Sequence, residues 1–99
     1  MSVDFKEQSG VLYIKINGRF DFGVHNEFRE ATKIAGNGIA KIEVDLANTD
    51  YLDSSALGML LLLRDKVIDR RDSVHICNAK ADVRKILEIA NFDKLFVLS

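Results

Sequence analysis

The sequence predicts an α/β domain in which a mixed β-sheet packs against helices in the order ββαβαβαβ. Short β-branched runs alternate apolar with polar residues, as half-buried strands do, and longer stretches between them carry apolar residues at helical spacing. Strands that alternate with helices imply parallel neighbours joined by right-handed crossovers. The first two strands are separated only by a turn, which forces at least one antiparallel pair and makes the sheet mixed. The 99 residues are enough for one domain and one core, so residues 1–99 are read as a single domain.

The elements follow in order. Val3 and Phe5 alternate with Asp4 and Lys6, Gln8-Ser9-Gly10 is a turn, and Val11 to Ile16 is a second strand that Gly18 ends. Arg19 to Gly23 is a loop. Val24, Phe28, Ala31 and Ala35 then form one apolar stripe of a helix over 24–35, stopped by Gly36-Asn37-Gly38. Ile39 to Leu46 is a strand, and Ala47-Asn48-Thr49-Asp50 a short loop. From Tyr51 to Arg71 the chain passes from a strand end through a tight turn into a helix of about four turns. Val74 to Cys77 is the next strand. Asn78 is a candidate N-cap for a helix over 80–90 with Val83, Ile86, Leu87 and Ala90 on one face. Leu95 to Leu98 closes the sheet.

Composition narrows the function classes. A formal net charge of -1 with scattered basic residues argues against a nucleic-acid surface. Leu60 to Leu63 is far shorter than the roughly 20 apolar residues of a membrane span. The polar N-terminus lacks a secretory signal, and the single cysteine, Cys77, reads as a buried thiol in a reducing cytoplasm. His25 and His75 stand apart, so no metal site is expected. No GxGxxG or GxxxxGK[ST] loop is present, so no nucleotide cofactor is expected. Ser54 and Ser55 lack a neighbouring base and a GxSxG elbow, so no catalytic residue is assigned. A receiver-type phospho-aspartate site would need an acidic pair that this chain does not have.

The central helix is the most informative element. With Ser54 at 0° and steps of about 100° per residue, Ala56, Leu60, Leu63 and Val67 form the core stripe. Ser54, Gly58, Leu61 and Asp65 lie roughly opposite, with Leu62 and Ser55 on a flank. Leu61 and Leu62 thus fall where a surface helix is normally polar, which points to an interface. Gly58 costs a helix about 1 kcal/mol relative to alanine. It would let another backbone or a phosphate approach, or it would serve a tight contact within the chain. Ser54 at the helix start is either an N-cap or a phosphate carrier. A phosphate there would add about -1.5 to -2 charges, tolerable to the helix start but not to a partner packed over the same face.

At these residues the chain resembles the STAS domain, and within it the single-domain bacterial anti-sigma factor antagonists. Asp53-Ser54-Ser55-Ala56-Leu57-Gly58 is similar to their DSSGLG or DSTGLG signature, with alanine in place of the first glycine. Gly18-Arg19-Phe20-Asp21 matches their earlier Gly-x-Leu/Phe-Asp motif, and Asn78 with Val83, Ile86 and Leu87 matches a later asparagine and apolar helix. The resemblance implies a STAS-like mixed sheet and a cytoplasmic, non-enzymatic signalling protein that regulates transcription through protein–protein interaction. It implies that Ser54 is phosphorylated by an anti-sigma factor that is also a GHKL-type serine kinase. The unphosphorylated form would bind that kinase and free a sigma factor, and a metal-dependent Ser/Thr phosphatase would reset the cycle. Asp21, Asp53 and Ser55 would flank the phosphosite, and Gly58, Leu61, Leu62 and Asp65 would meet the partner. The alternative is a STAS interaction subunit without a phosphorylation cycle, on a transporter ATPase or in a signalling or secretion complex.

Overall fold

The computed structural model describes residues 2–67 and 73–99. Its strands are β1 (Ser2–Gln8), β2 (Val11–Phe20), β3 (Lys41–Asp45), β4 (Thr49–Leu52), β5 (Val74–Cys77) and β6 (Val97–Leu98). Its helices are α1 (His25–Ala35), α2 (Ser54–Arg64) and α3 (Ala81–Ile89), with short 3-10 turns at Phe22–Val24, Asp65–Val67 and Phe92–Lys94. The sheet runs β1-β2-β3-β5-β6, and β4 pairs with the far end of β2. β1 and β2 are antiparallel, with Val3 opposite Ile16 and Phe5 opposite Ile14. All other pairs are parallel. The expected mixed α/β sheet is therefore present.

The hairpin forms where the sequence places it, because Ser9 and Gly10 both adopt positive φ, 55° and 81°, which matches the twist of the flanking strands. Parallel neighbours succeed one another in one direction, so right-handed crossovers put the helices on one face of the sheet. Leu12, Ile14, Ile16, Ile42, Val44, Val74 and Ile76 point into that face and are buried. Their alternates Tyr13, Lys15, Glu43, Asp45, His75 and Cys77 are half-buried or exposed on the other side. The stripe of α1 seals the core through Phe28, Ala31 and Ala35, with the Phe28 ring 5.3 Å from that of Phe20. Ala56, Leu60 and Leu63 of α2 join it as expected, together with Met59. Arg64 fastens the end of α2 by donating to the Leu95 carbonyl at 3.0 Å.

Five expectations need correction. Residues 47–50 are not simply a loop: Thr49 and Asp50 open β4, because the buried Thr49 hydroxyl donates to the Ile16 carbonyl at 3.0 Å and ties this segment to β2. Gly18 does not end β2. It carries φ 89° at a register shift against β4, and the strand continues to Phe20. Asn78 does not cap α3; it takes a left-handed conformation, φ 61°, and its side-chain amide donates to Asp45, while Lys80 occupies the cap position. Ile86 is partly exposed, leaving Val83 and Leu87 as the buried anchors of α3. The helix of α2 ends at Arg64 and tightens into a 3-10 turn to Val67, and residues 68–72 of the anticipated helix lie outside the described residues.

Candidate functional site

The site forms where β2 and β4 end side by side. Their parallel register sets Arg19 against Tyr51 and Phe20 against Leu52. Asp21 and Asp53 therefore emerge together from adjacent strand ends, and the Asp53 amide donates to the Phe20 carbonyl at 3.4 Å. Two sequence motifs separated by some thirty positions are joined by one short ladder.

Each aspartate starts a helical segment. Asp21 Oδ1 accepts from the Gly23 amide at 2.9 Å and caps the 3-10 turn that leads into α1. Asp53 Oδ1 accepts from the Ala56 amide at 3.1 Å and from the Ser55 hydroxyl at 2.6 Å, so Asp53 is the N-cap of α2. These bonds hold the Asp53 carboxyl below its usual value. The Ser55 hydroxyl contributes most; burial opposes it, and the Ala56 and Ser55 amides and, least of all, the Arg19 charge complete the lowering.

This arrangement decides what Ser54 is not. The cap position is taken by Asp53, and Ser54 is the first residue of the helix, exposed, with no hydrogen bond among the described residues. Its hydroxyl is available to chemistry from outside, beside amides that favour negative charge. Ser55 is half-buried and committed to Asp53. The expected flanking set of Asp21, Asp53 and Ser55 is thus gathered at one strand end, with Asp53 and Ser55 bonded to each other.

One turn on, Gly58 is exposed, and a Cβ built on it would meet nothing within 4 Å. No described residue therefore makes a tight contact that would require this glycine. Leu61 is 38% exposed, Leu62 is 62% exposed, and Asp65 is exposed at the helix end. Residues not singled out by sequence extend the same surface. Phe22 is 67% exposed and stacks on His25 at 4.9 Å. A groove of about 290 Å³ between α1 and α2 is lined by His25, Phe28, Arg29, Thr32, Met59 and Leu62. Arg19 lies over the Tyr51 ring at 4.1 Å and pairs with Asp21 Oδ2 at 3.1 Å. The sequence signal for this cluster was the aromatic and basic content of the 19–25 loop, RFDFGVH, which periodicity ignores.

Among the described residues no group of three or more His, Cys, Asp or Glu is placed to hold a metal ion. No described helix is long and apolar enough to cross a membrane.

The family model for the STAS domain matches residues 2–99. The chain belongs to the STAS domain family. A STAS-domain containing protein of Pseudomonas aeruginosa is 50% identical over 88 residues, spanning 89% of this chain and 87% of that protein. Solved STAS-like structures share the fold at low identity. A putative anti-sigma factor antagonist from Thermotoga maritima superposes with a TM-score of 0.83 at 16% identity, covering 97% of this chain and 84% of that one. The phosphorylated form of the Bacillus cell fate determinant SpoIIAA gives 0.75 at 14% identity, covering 98% and 90%. A sulfate transporter family protein from Wolinella succinogenes gives 0.72 at 16% identity, covering 90% and 78%. Proteins described as an anti-sigma factor antagonist and as a sulfate transporter family member thus share this fold.

Proposed function

We propose that this STAS domain is an anti-sigma factor antagonist of the partner-switching kind. Unphosphorylated, it binds an anti-sigma factor that is also a GHKL-type serine kinase, and phosphorylation of Ser54 releases it. A metal-dependent Ser/Thr phosphatase restores the binding form. The observation that carries this reading is the face of α2. It bears a free serine hydroxyl at its first residue, an open glycine one turn later, and the exposed pair Leu61 and Leu62. Such a face has a hydroxyl to modify and an apolar surface to cover, and both sit on the same side of one helix. SpoIIAA, which has a similar fold, has been solved in a phosphorylated form, and that supports the reading.

A phosphate on Ser54 adds about two negative charges to this face. The start of α2 accommodates them, so the fold persists. A partner seated over Gly58, Leu61, Leu62 and Asp65 would have to strip water from this charge, at a cost of several kcal/mol, which ends a micromolar-to-nanomolar complex.

The test is an affinity pull-down from the native cell with wild type and Ser54→Asp as parallel baits. A GHKL-type kinase captured by wild type and lost with Ser54→Asp supports the switch. A transporter ATPase or scaffold captured equally by both would overturn it and make the chain a constitutive interaction subunit. Titration calorimetry with the purified partner then compares Ser54→Ala, expected to bind constitutively, with Ser54→Asp, expected to bind weakly.

A further inference from the structure

We propose that Arg19 is the cation that receives a phosphate placed on Ser54, exchanging its bond to Asp21 for one to the phosphate. The inference rests on Ser54 being the modified residue.

Arg19 lies directly across the β2–β4 ladder from Tyr51, and its guanidinium stacks on that ring at 4.1 Å. The stack aims the group along the strands towards their common end. There its Nε donates to Asp21 Oδ2 at 3.1 Å, and its charge helps to keep Asp53 ionised. Arg19 is therefore bonded to one of the two carboxylates at this strand end, and its charge reaches the other. Two other basic side chains have partners of their own: Lys80 pairs with Asp50 of β4, and the His25 ring of α1 stacks on Phe22.

The exchange follows from charge. Two carboxylates and a dianionic phosphate would crowd one strand end with about four negative charges. Asp21 keeps its bond to the Gly23 amide through Oδ1, so it can release Arg19 without losing its capping role. The Arg19 side chain is 59% exposed against 21% for Asp21, and a pair whose cation stands in water is held only modestly. A planar guanidinium matches phosphate in two parallel bonds and gains more from it than from a single contact to Asp21. The stack on Tyr51 keeps the group in place while its partner changes.

The test uses the full chain with phosphoserine incorporated genetically at position 54, so that no kinase is involved. Phosphorus NMR titration gives the second ionisation of the phosphate in the wild-type, Arg19→Gln and Arg19→Lys backgrounds. Arg19 should lower it by roughly half a pH unit relative to Arg19→Gln, the scale of an exposed ion pair, with Arg19→Lys between. Equal values in wild type and Arg19→Gln would overturn the proposal. The Arg19 Nε–H resonance of the otherwise unchanged chain supplies a second readout: it should shift on phosphorylation, and an unmoved signal also overturns it. Whether the cell phosphorylates Ser54 is decided separately by mass spectrometry of the native protein, so failure of the switch and failure of the Arg19 contact remain distinguishable.

Discussion

Removing the Asp53 carboxylate tests the construction of the site most directly. In Asp53→Ala the Ala56 amide at 3.1 Å and the Ser55 hydroxyl at 2.6 Å both lose their acceptor. Loss of an N-cap costs about 1 kcal/mol, within a range of roughly 0.5–2. The half-buried Ser55 can turn to water, so little is added for it. For a domain of this size about 1 kcal/mol lowers Tm by roughly 4–8 °C. Acid dependence separates charge from cap. Because the folded carboxyl ionises below its ordinary value of 3.8, its ionic contribution is fully present above that value. It is lost as the pH falls through the lower folded value. Asn caps about as well as Asp but carries no charge, so Asp53→Asn should retain most stability at pH 7 and should narrow its gap to wild type near pH 3. Thermal and urea unfolding of the three proteins at both pH values measures this. Equal stability of Asp53→Ala and wild type at pH 7 would refute the capping role.

Four further outcomes are expected. Gly58→Ala should stabilise the isolated chain by about 0.5–1 kcal/mol in urea unfolding, since its Cβ would enter open space, yet weaken the captured partner in calorimetry. Leu60→Ala should cost about 2–5 kcal/mol because that side chain is fully buried, whereas Leu62→Ala, at 62% exposed, should stay within about 0.5 kcal/mol and reduce partner affinity instead. Gly18→Ala should cost about 1–2 kcal/mol in urea unfolding, because its φ of 89° penalises any Cβ. Cys77 should react slowly with a thiol reagent at pH 7 and speed up only above pH 9, since burial first, then Asp45 and Glu43, push its thiol above the ordinary 9.0.

The parts of the fold that were legible in the sequence are those governed by local period. Leu12-Ile14-Ile16, Val24-Phe28-Ala31-Ala35 and Ala56-Leu60-Leu63 each announce their buried face by spacing alone, and each is buried. The exposed side of α2 was legible for the same reason, because Leu61 and Leu62 break its polar side. What escaped notice depends on contacts between distant segments. Thr49 becomes strand only because its hydroxyl finds the Ile16 carbonyl across 33 positions. Asn78 has the composition of a helix cap, but Asp45 draws its amide away. Ser54 and Asp53 are both good caps by type, and only the geometry assigns the role to Asp53. Arg19 carried no periodic signal at all, since a residue that stacks on one strand and pairs at its end has no spacing to betray it.

The unequal ladders on β2 have a dynamic consequence. Seven residue pairs bind β2 to β1 and five bind it to β3, while three bind it to β4 across a register shift. Opening of the three-pair ladder frees the strand ends that carry Asp21 and Asp53 while the rest of the sheet stays closed. Amide hydrogens of Gly18 and Asp53 should therefore exchange with solvent through a local opening well before those of Leu12 to Ile16, which wait for global unfolding. Under the proposed switch, a kinase reaching Ser54 would then meet a frame that opens alone, on a timescale set by a few hydrogen bonds rather than by the stability of the domain.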